Sequence, residues 1–228
     1  MSAKKIFDSE VDKLWATIPK KKTPGTAQVP NKFWKSFSSG DVLLEVGSGS
    51  GRLVAECEKR CLGVVAVDIN KNELQQLSKV YNSYPKANFV YADVTKKFKA
   101  LNIKFDGMLM LGLLGALKSS GDRERALLNC SYHLSRGARV VVSEFKFNDN
   151  DGILADRYRL GLQSGLEKGS FQVLDDSGSV LYITHNFTKD ELVNLIKSVL
   201  RVDEVIEKDF TSYHGNKRKG IIILATKE

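Results

Sequence analysis

Apolar and polar positions along the chain alternate between two rhythms. Short, mostly apolar runs at Val42–Val46, Gly63–Val67, Ala87–Tyr91, Phe105–Met110 and Ala138–Phe145 read as strands buried on both faces. Between them, Leu53–Arg60, Lys71–Asn82 and Asp122–Leu134 carry apolar residues at helical spacing, as with Leu74, Leu77 and Val80. Strand and helix follow one another at short intervals, which predicts a parallel sheet with helices on both faces. The end of the chain breaks the rhythm. Thr188-Lys-Asp-Glu191 is a helix start with its own capping box, and that helix runs to about Leu200. Arg201–Glu207 and Gly220–Thr226 then form two strands joined by a loop too short for a crossover helix. If they pair, they pair antiparallel.

Two regions stand outside this core. Ile6–Thr17 and Asn31–Phe37 are amphipathic, separated by the Pro- and Lys-rich link Pro19–Gly25, and residues 1–37 read as an N-terminal helical cap. Its aromatic residues Trp15, Phe33 and Trp34 either close the edge of the core or help to shape a pocket. Lys146–Phe187 is longer than a connection requires. Asp156–Leu166 looks helical there, and Phe171–Val173 with Val180–Thr184 looks like a hairpin around Asp175-Asp-Ser-Gly178. Residues 146–187 would therefore hang as a lid over the carboxyl ends of the strands, where open α/β sheets bind ligands.

Composition changes this picture little. The 228 residues suit one domain, with 42% hydrophobic and 27% charged residues. No apolar stretch reaches the roughly 18 residues of a membrane span, and the first residues lack the apolar core of a secretory signal. Cys57, Cys61 and Cys130 are odd in number and have no second pair or nearby histidine. They read as free thiols in a reducing, cytoplasmic setting, with no metal. The net charge of +8 suits an anionic partner, yet Lys20–Lys22, Lys96–Lys99 and Lys217–Lys219 lie in separate loops.

The chemistry concentrates after the first strand. Glu45-Val-Gly47-Ser48-Gly49-Ser-Gly51 places three glycines at alternate positions behind an acid. Glycine permits a tight turn and lets a ligand approach the main chain. The next strand ends on Asp68, about twenty residues on, an acid suited to accept from ribose hydroxyls. A dinucleotide site would want a glycine where Arg52 stands. The acid-Gly-x-Gly-x-Gly pattern instead resembles the first motif of the class I S-adenosylmethionine-dependent methyltransferases. A sulfonium and an ammonium favour carboxylates where a pyrophosphate would favour a helix N-terminus.

The resemblance extends over most of residues 38–228. It implies an α/β, doubly wound, mostly parallel seven-stranded sheet with one antiparallel strand near the C-terminus. It also implies that Glu45, Gly47, Ser48, Gly49, Gly51, Asp68 and Ile69 hold S-adenosyl-L-methionine. Asp93 and Val94 would take the adenine, unless Asp93 only caps the turn that follows. Leu111 begins the loop Leu111–Leu117 that borders the reacting methyl in related enzymes. Asp68 is expected to serve the ligand more than the fold.

No catalytic base stands out. Gly115 and Ala116 occupy the place of a histidine pair found in many small-molecule enzymes of the family, and Leu111-Gly-Leu-Leu114 replaces the motif of amino-group methylases. His133 is expected at the surface. Tyr158, His185 and His214 remain catalytic candidates, with Arg157 and Tyr213 beside them. The implied function is methyl transfer by in-line displacement to a small or medium-sized acceptor. An alternative is a tRNA substrate, since the His185-Asn-Phe-Thr-Lys-Asp-Glu-Leu stretch looks somewhat like wobble-uridine methyltransferases. Another is a cofactor-binding, non-catalytic partner of a separate methylase.

Overall fold

The structure is a computed structural model and describes residues 29–100, 102–175, 177–211 and 217–228. Seven strands form one sheet: β1 (Val42–Val46), β2 (Gly63–Asp68), β3 (Ala87–Tyr91), β4 (Phe105–Leu111), β5 (Leu134–Phe145), β8 (Arg201–Thr211) and β9 (Lys217–Thr226). Their order is β3-β2-β1-β4-β5-β9-β8. The first five pair parallel, while β9 runs antiparallel to both β5 and β8. The expected sheet, with its single reversed strand, is the observed one. The chain winds outward from β1 through β2 to β3, then returns to β4 on the other side of β1. That reversal makes the carboxyl ends of β1 and β4 the switch point at which such sheets bind ligands. Val46 pairs with Met110, so the loops after both strands start side by side.

Alternate strand residues feed two cores, as the pleat requires. Leu44, Val46, Val65, Val67, Met108, Met110, Val140 and Val142 face α4 (Ser120–Ser131) and α6 (Lys189–Lys197) through Ala126, Leu127, Leu192 and Ile196. Leu43, Val64, Ala66, Leu109, Val141 and Ile222 face α1 (Asn31–Trp34) and α2 (Arg52–Lys59) through Phe33, Trp34, Leu53, Val54 and Cys57. The remaining sheet-packing helix, α3 (Lys71–Val80), is capped by the Asn70 side chain.

Residues 29–37 lie toward the amino ends of the strands. The Arg60 guanidinium stands 4.4 Å over the Trp34 ring, and the Phe37 ring touches Gly107 at the start of β4. Phe33 and Trp34 thus close the core at the end away from the switch point. The rest of the expected cap, with Trp15, lies outside the described residues.

The insertion holds α5 (Gly152–Gln163) and the antiparallel hairpin of β6 (Ser170–Leu174) and β7 (Val180–His185). Helix α5 starts earlier than the periodicity suggests because Asp151 caps it, accepting from the Leu154 N–H. Leu154, Tyr158 and Phe171 make a small core of its own with Phe147 and Val173. The excursion leaves and returns at one point, since Phe187 donates to the Phe145 carbonyl and Phe147 donates to that of Phe187.

The capping box of α6 is formed. Glu191 N–H donates to Thr188 Oγ1, and Thr188 N–H donates to the Glu191 carboxylate. Thr188→Ala should cost about 1 kcal/mol of unfolding free energy, read as a lower urea midpoint at unchanged slope. No change in midpoint would mean that packing alone sets this helix start.

Candidate active site

Strand β1 ends at Val46 and the chain turns at once. Gly47 and Ser48 donate their N–H groups to the Val67 carbonyl of β2, at 2.8 and 3.3 Å. Gly49 N–H donates to Asp68 Oδ2 at 2.8 Å, and Asn70 N–H donates to Oδ1 at 2.8 Å. The acid at the end of β2 therefore braces the glycine loop, a structural role beyond the one expected of it. Burial raises the Asp68 carboxyl above its ordinary range, and the Gly49 and Asn70 N–H groups oppose that rise. Each oxygen still has a lone pair to offer a hydroxyl.

The glycines answer different demands. A Cβ on Gly51 would lie 2.4 Å from the Leu77 side chain, so packing of α3 excludes one there. Gly49 has φ of +48°, and a Cβ built on it would meet nothing within 4 Å. The backbone here faces open space, the cradle a ligand lying against the main chain requires. Beside it, Glu45 is 3% exposed, and its Oε2 has no hydrogen-bond partner, nor does the buried Ser48 Oγ. Burial pushes the Glu45 carboxyl up to about 8, with Arg52 opposing and Asp68 adding to the shift. A buried acid with one oxygen unpartnered, next to an open cradle and a second acid, suits a cationic ligand that also carries hydroxyls. The residues present thus fit the implied cofactor.

The flanking strand ends complete the crevice. Ile69 is half-buried beside Asp68. Asp93 follows β3 and caps its turn, with Oδ1 accepting from the Thr95 N–H at 3.0 Å and from Thr95 Oγ1 at 2.6 Å. Its Oδ2 lies 3.3 Å from Lys96 Nζ, and Val94 beside it is buried. On the other side, β4 ends at Leu111, and Gly112 N–H donates to the Ser143 carbonyl at 2.8 Å. The Leu113 side chain comes within 3.1 Å of where a Gly47 Cβ would stand, so the loop after β4 rests on the glycine loop.

The catalytic candidates His185 and Tyr158 are enclosed. His185 is 2% exposed; its Nδ1 lies 2.8 Å from Ser170 Oγ and its Nε2 lies 2.8 Å from Glu191 Oε1. Tyr158 is likewise buried, and its hydroxyl accepts from Asn186 Nδ2 at 2.8 Å. Both side chains hold the insertion to itself and to α6. His214 and Tyr213 lie outside the described residues. The Arg157 guanidinium covers the Phe171 ring at 5.8 Å. His133 is half-buried against Phe98, away from the strand tips.

Sequence reasoning passed over a second buried acid. Glu144, 2% exposed at the end of β5, accepts from the Leu114 N–H at 2.7 Å. Burial pushes it up to about 8, while the Leu114 and Gly115 N–H groups and Arg123 draw it down. Arg123 is itself buried and pairs with Glu167 of the insertion. The available signal was an acid closing the otherwise apolar run Val-Val-Val-Ser-Glu144.

Residues 44–140 match the methyltransferase domain family, and these residues hold the glycine loop, Asp68 and β4. Over that stretch the chain is similar to this family. A crystal structure of an S-adenosylmethionine-dependent methyltransferase from Methanosarcina mazei shares the fold with a TM-score of 0.80. The two are 24% identical, over 88% of this chain and 98% of that one. The 1,6-didemethyltoxoflavin-N1-methyltransferase of Burkholderia thailandensis, solved with its substrate and S-adenosylhomocysteine, has a TM-score of 0.59 at 18% identity. It spans 82% of this chain and 71% of that one. Ribosomal RNA small subunit methyltransferase A of Alkaliphilus oremlandii is 35% identical over 74 residues, which is 32% of this chain and about a quarter (26%) of that protein.

Glu45 makes the stability of this fold depend on pH. Its carboxyl titrates at about 8 in the fold against an ordinary 4.5. Its stabilising contribution is complete below the ordinary value and fades as pH rises through about 8. The ligand-free protein should melt at a lower temperature near pH 9 than near pH 6. Glu45→Gln should narrow that difference, leaving the share due to Glu144. An equal drop in variant and wild type would mean that Glu45 is already ionised in the free fold.

Proposed function

We propose that the protein is an S-adenosylmethionine-dependent methyltransferase acting on a small or medium-sized acceptor. The observation that carries this reading is the open cradle over Gly49, bounded by Asp68 and by the unpartnered Oε2 of Glu45. Asp68 would accept from the ribose hydroxyls while still holding Gly49. Glu45 and Ser48 would face the amino-acid portion, with Asp93, Val94 and Ile69 around the adenine. When bound, the cofactor supplies a methyl group on a sulfonium, a leaving group already activated. The protein's task is then to align an acceptor and exclude water. Leu111–Leu117 would form the wall beside the acceptor, and residues 146–187 its cover.

A base is needed only for an acceptor that must lose a proton. The enclosed His185 and Tyr158 support an acceptor that is already nucleophilic, such as a nitrogen with a free lone pair. The toxoflavin relative methylates a nitrogen according to its name, which accords with this. The similarity to a ribosomal RNA enzyme and the +8 charge favour RNA as a second acceptor class. Among the described residues, no helix is long and apolar enough to cross a membrane. The three cysteines are free, in keeping with a reducing compartment such as the cytoplasm.

Asp68→Ala should weaken S-adenosylhomocysteine binding by about tenfold or more, since charge-assisted hydrogen bonds contribute about 1.5 to 3 kcal/mol each. Because Asp68 also braces Gly49, the free protein should lose stability as well. Calorimetry that finds unchanged affinity would move the cofactor elsewhere. Gly49→Val should abolish binding by filling the cradle; a folded variant that still binds would leave the loop only its turn. Labelled methyl donor, offered with metabolite extract and total RNA in parallel, identifies the acceptor class. Labelled RNA alone would overturn the small-molecule reading.

A further inference from the structure

We infer that Glu144 is a positioning residue for the acceptor side of this site, gripping the loop after β4 from behind. The inference rests on the methyltransferase reading and extends it to a residue outside the cofactor motif. The Glu144 side chain lies on the face of β5 that looks toward α4, where Arg123 stands buried beside it. Its Oε1 accepts from the Leu114 N–H at 2.7 Å, and the Gly115 N–H also donates to its carboxylate. The loop is pressed from the opposite side by the insertion. A Cβ on Gly115 would lie 2.6 Å from the His185 carbonyl oxygen and 3.0 Å from Glu144 Oε2. Thr184 Oγ1 donates to the Gly115 carbonyl at 3.2 Å. Gly115 is thus clamped between the acid below and the insertion above, with no room for a side chain.

The clamp reaches the cofactor cradle through the chain itself. Leu113, one residue before the gripped amide, rests its side chain against Gly47. A shift at Leu114 therefore alters the wall that an acceptor would meet beside the cradle. The clamp also reaches outward. Arg123 pairs with Glu167, whose other oxygen accepts from the Ser120 N–H at 2.8 Å, so α4 and the insertion share one ionic contact behind the loop. The charged and titratable groups around Glu144 are Arg123 on α4, Glu167 and His185 in the insertion and, one contact further, Glu191 on α6.

The test uses the full chain saturated with S-adenosylhomocysteine. In amide correlation spectra, the Leu114 and Gly115 resonances should move together as pH rises, with a midpoint near 8. That movement should vanish in Glu144→Gln. Calorimetric affinity for S-adenosylhomocysteine should stay within about twofold in this variant, while turnover of the acceptor found by the labelled screen falls about tenfold or more. Gly115→Ala, which disturbs the same clamp from the loop side, should reproduce the loss of turnover. A purely structural role predicts a lower melting temperature with normal turnover of the folded protein, and that result would overturn the proposal. So would amide resonances that ignore the titration. Wild-type protein that binds no S-adenosylhomocysteine would overturn the underlying reading and the acceptor role together, whatever the amides do.

Discussion

Strand β1 is paired on both sides, by β2 and by β4, and the chain must leave its carboxyl end without extended backbone to continue. Everything at the site follows from how that exit is made. The neighbouring strand supplies the first acceptors, the Val67 carbonyl and the Asp68 carboxylate, and together they take three consecutive N–H groups from Gly47 to Gly49. Folding the loop so tightly needs positive φ at Gly47, Gly49 and Gly51. In return the loop exposes its backbone at Gly49 and starts α2 immediately. The glycine motif is a requirement of the sheet topology before it is a requirement of any ligand.

This explains which parts were legible in the sequence. Runs such as Val42–Val46 and Gly63–Val67 are apolar on both faces because helices cover both faces of the sheet. The short connection between β8 and β9 left antiparallel pairing as the natural geometry. Element ends were less legible. Strand β5 begins at Leu134, four residues before the expected Ala138, because its register slips between Phe105 and Gly107 and absorbs Gly137 at φ +82°. Strands β8 and β9 extend to Thr211 and from Lys217 despite charged residues, since Phe210 is buried over Gly220 and carries the pairing outward. The roles of His185 and Glu144 depend on partners distant in sequence, Ser170 for one and Leu114 for the other. Spacing along the chain holds no trace of them.

Two carboxyl groups, Glu45 and Glu144, are buried at the ends of central strands, each pushed up to about 8 by loss of water. Acids in an apolar interior cost stability unless something compensates. Glu144 finds compensation in the Leu114 and Gly115 amides and in Arg123. Glu45 finds less, since one of its oxygens has no partner. The two acids therefore differ in kind. Glu144 holds backbone in place with both oxygens engaged, whereas Glu45 keeps one oxygen with capacity for a further donor. That asymmetry distinguishes the two acids more clearly than their similar titration does.

The insertion gains a different character from these contacts than its position alone suggests. An excursion over a ligand crevice invites the idea of a lid that swings. Here His185 uses both ring nitrogens internally, Tyr158 is tied to Asn186, and Phe187 is bonded to Phe145 and Phe147 at the base. Arg123 and Glu167 add an ion pair to α4, and the Gly115 backbone leaves no gap beneath β7. Moving the base of this segment would break several buried hydrogen bonds at once, each costly to leave unmade. Farther out, Leu174 and Val180 of the hairpin are exposed and share none of these contacts. The insertion thus presents a fixed inner wall beside the loop after β4, which is what positioning a bound molecule against that loop would require.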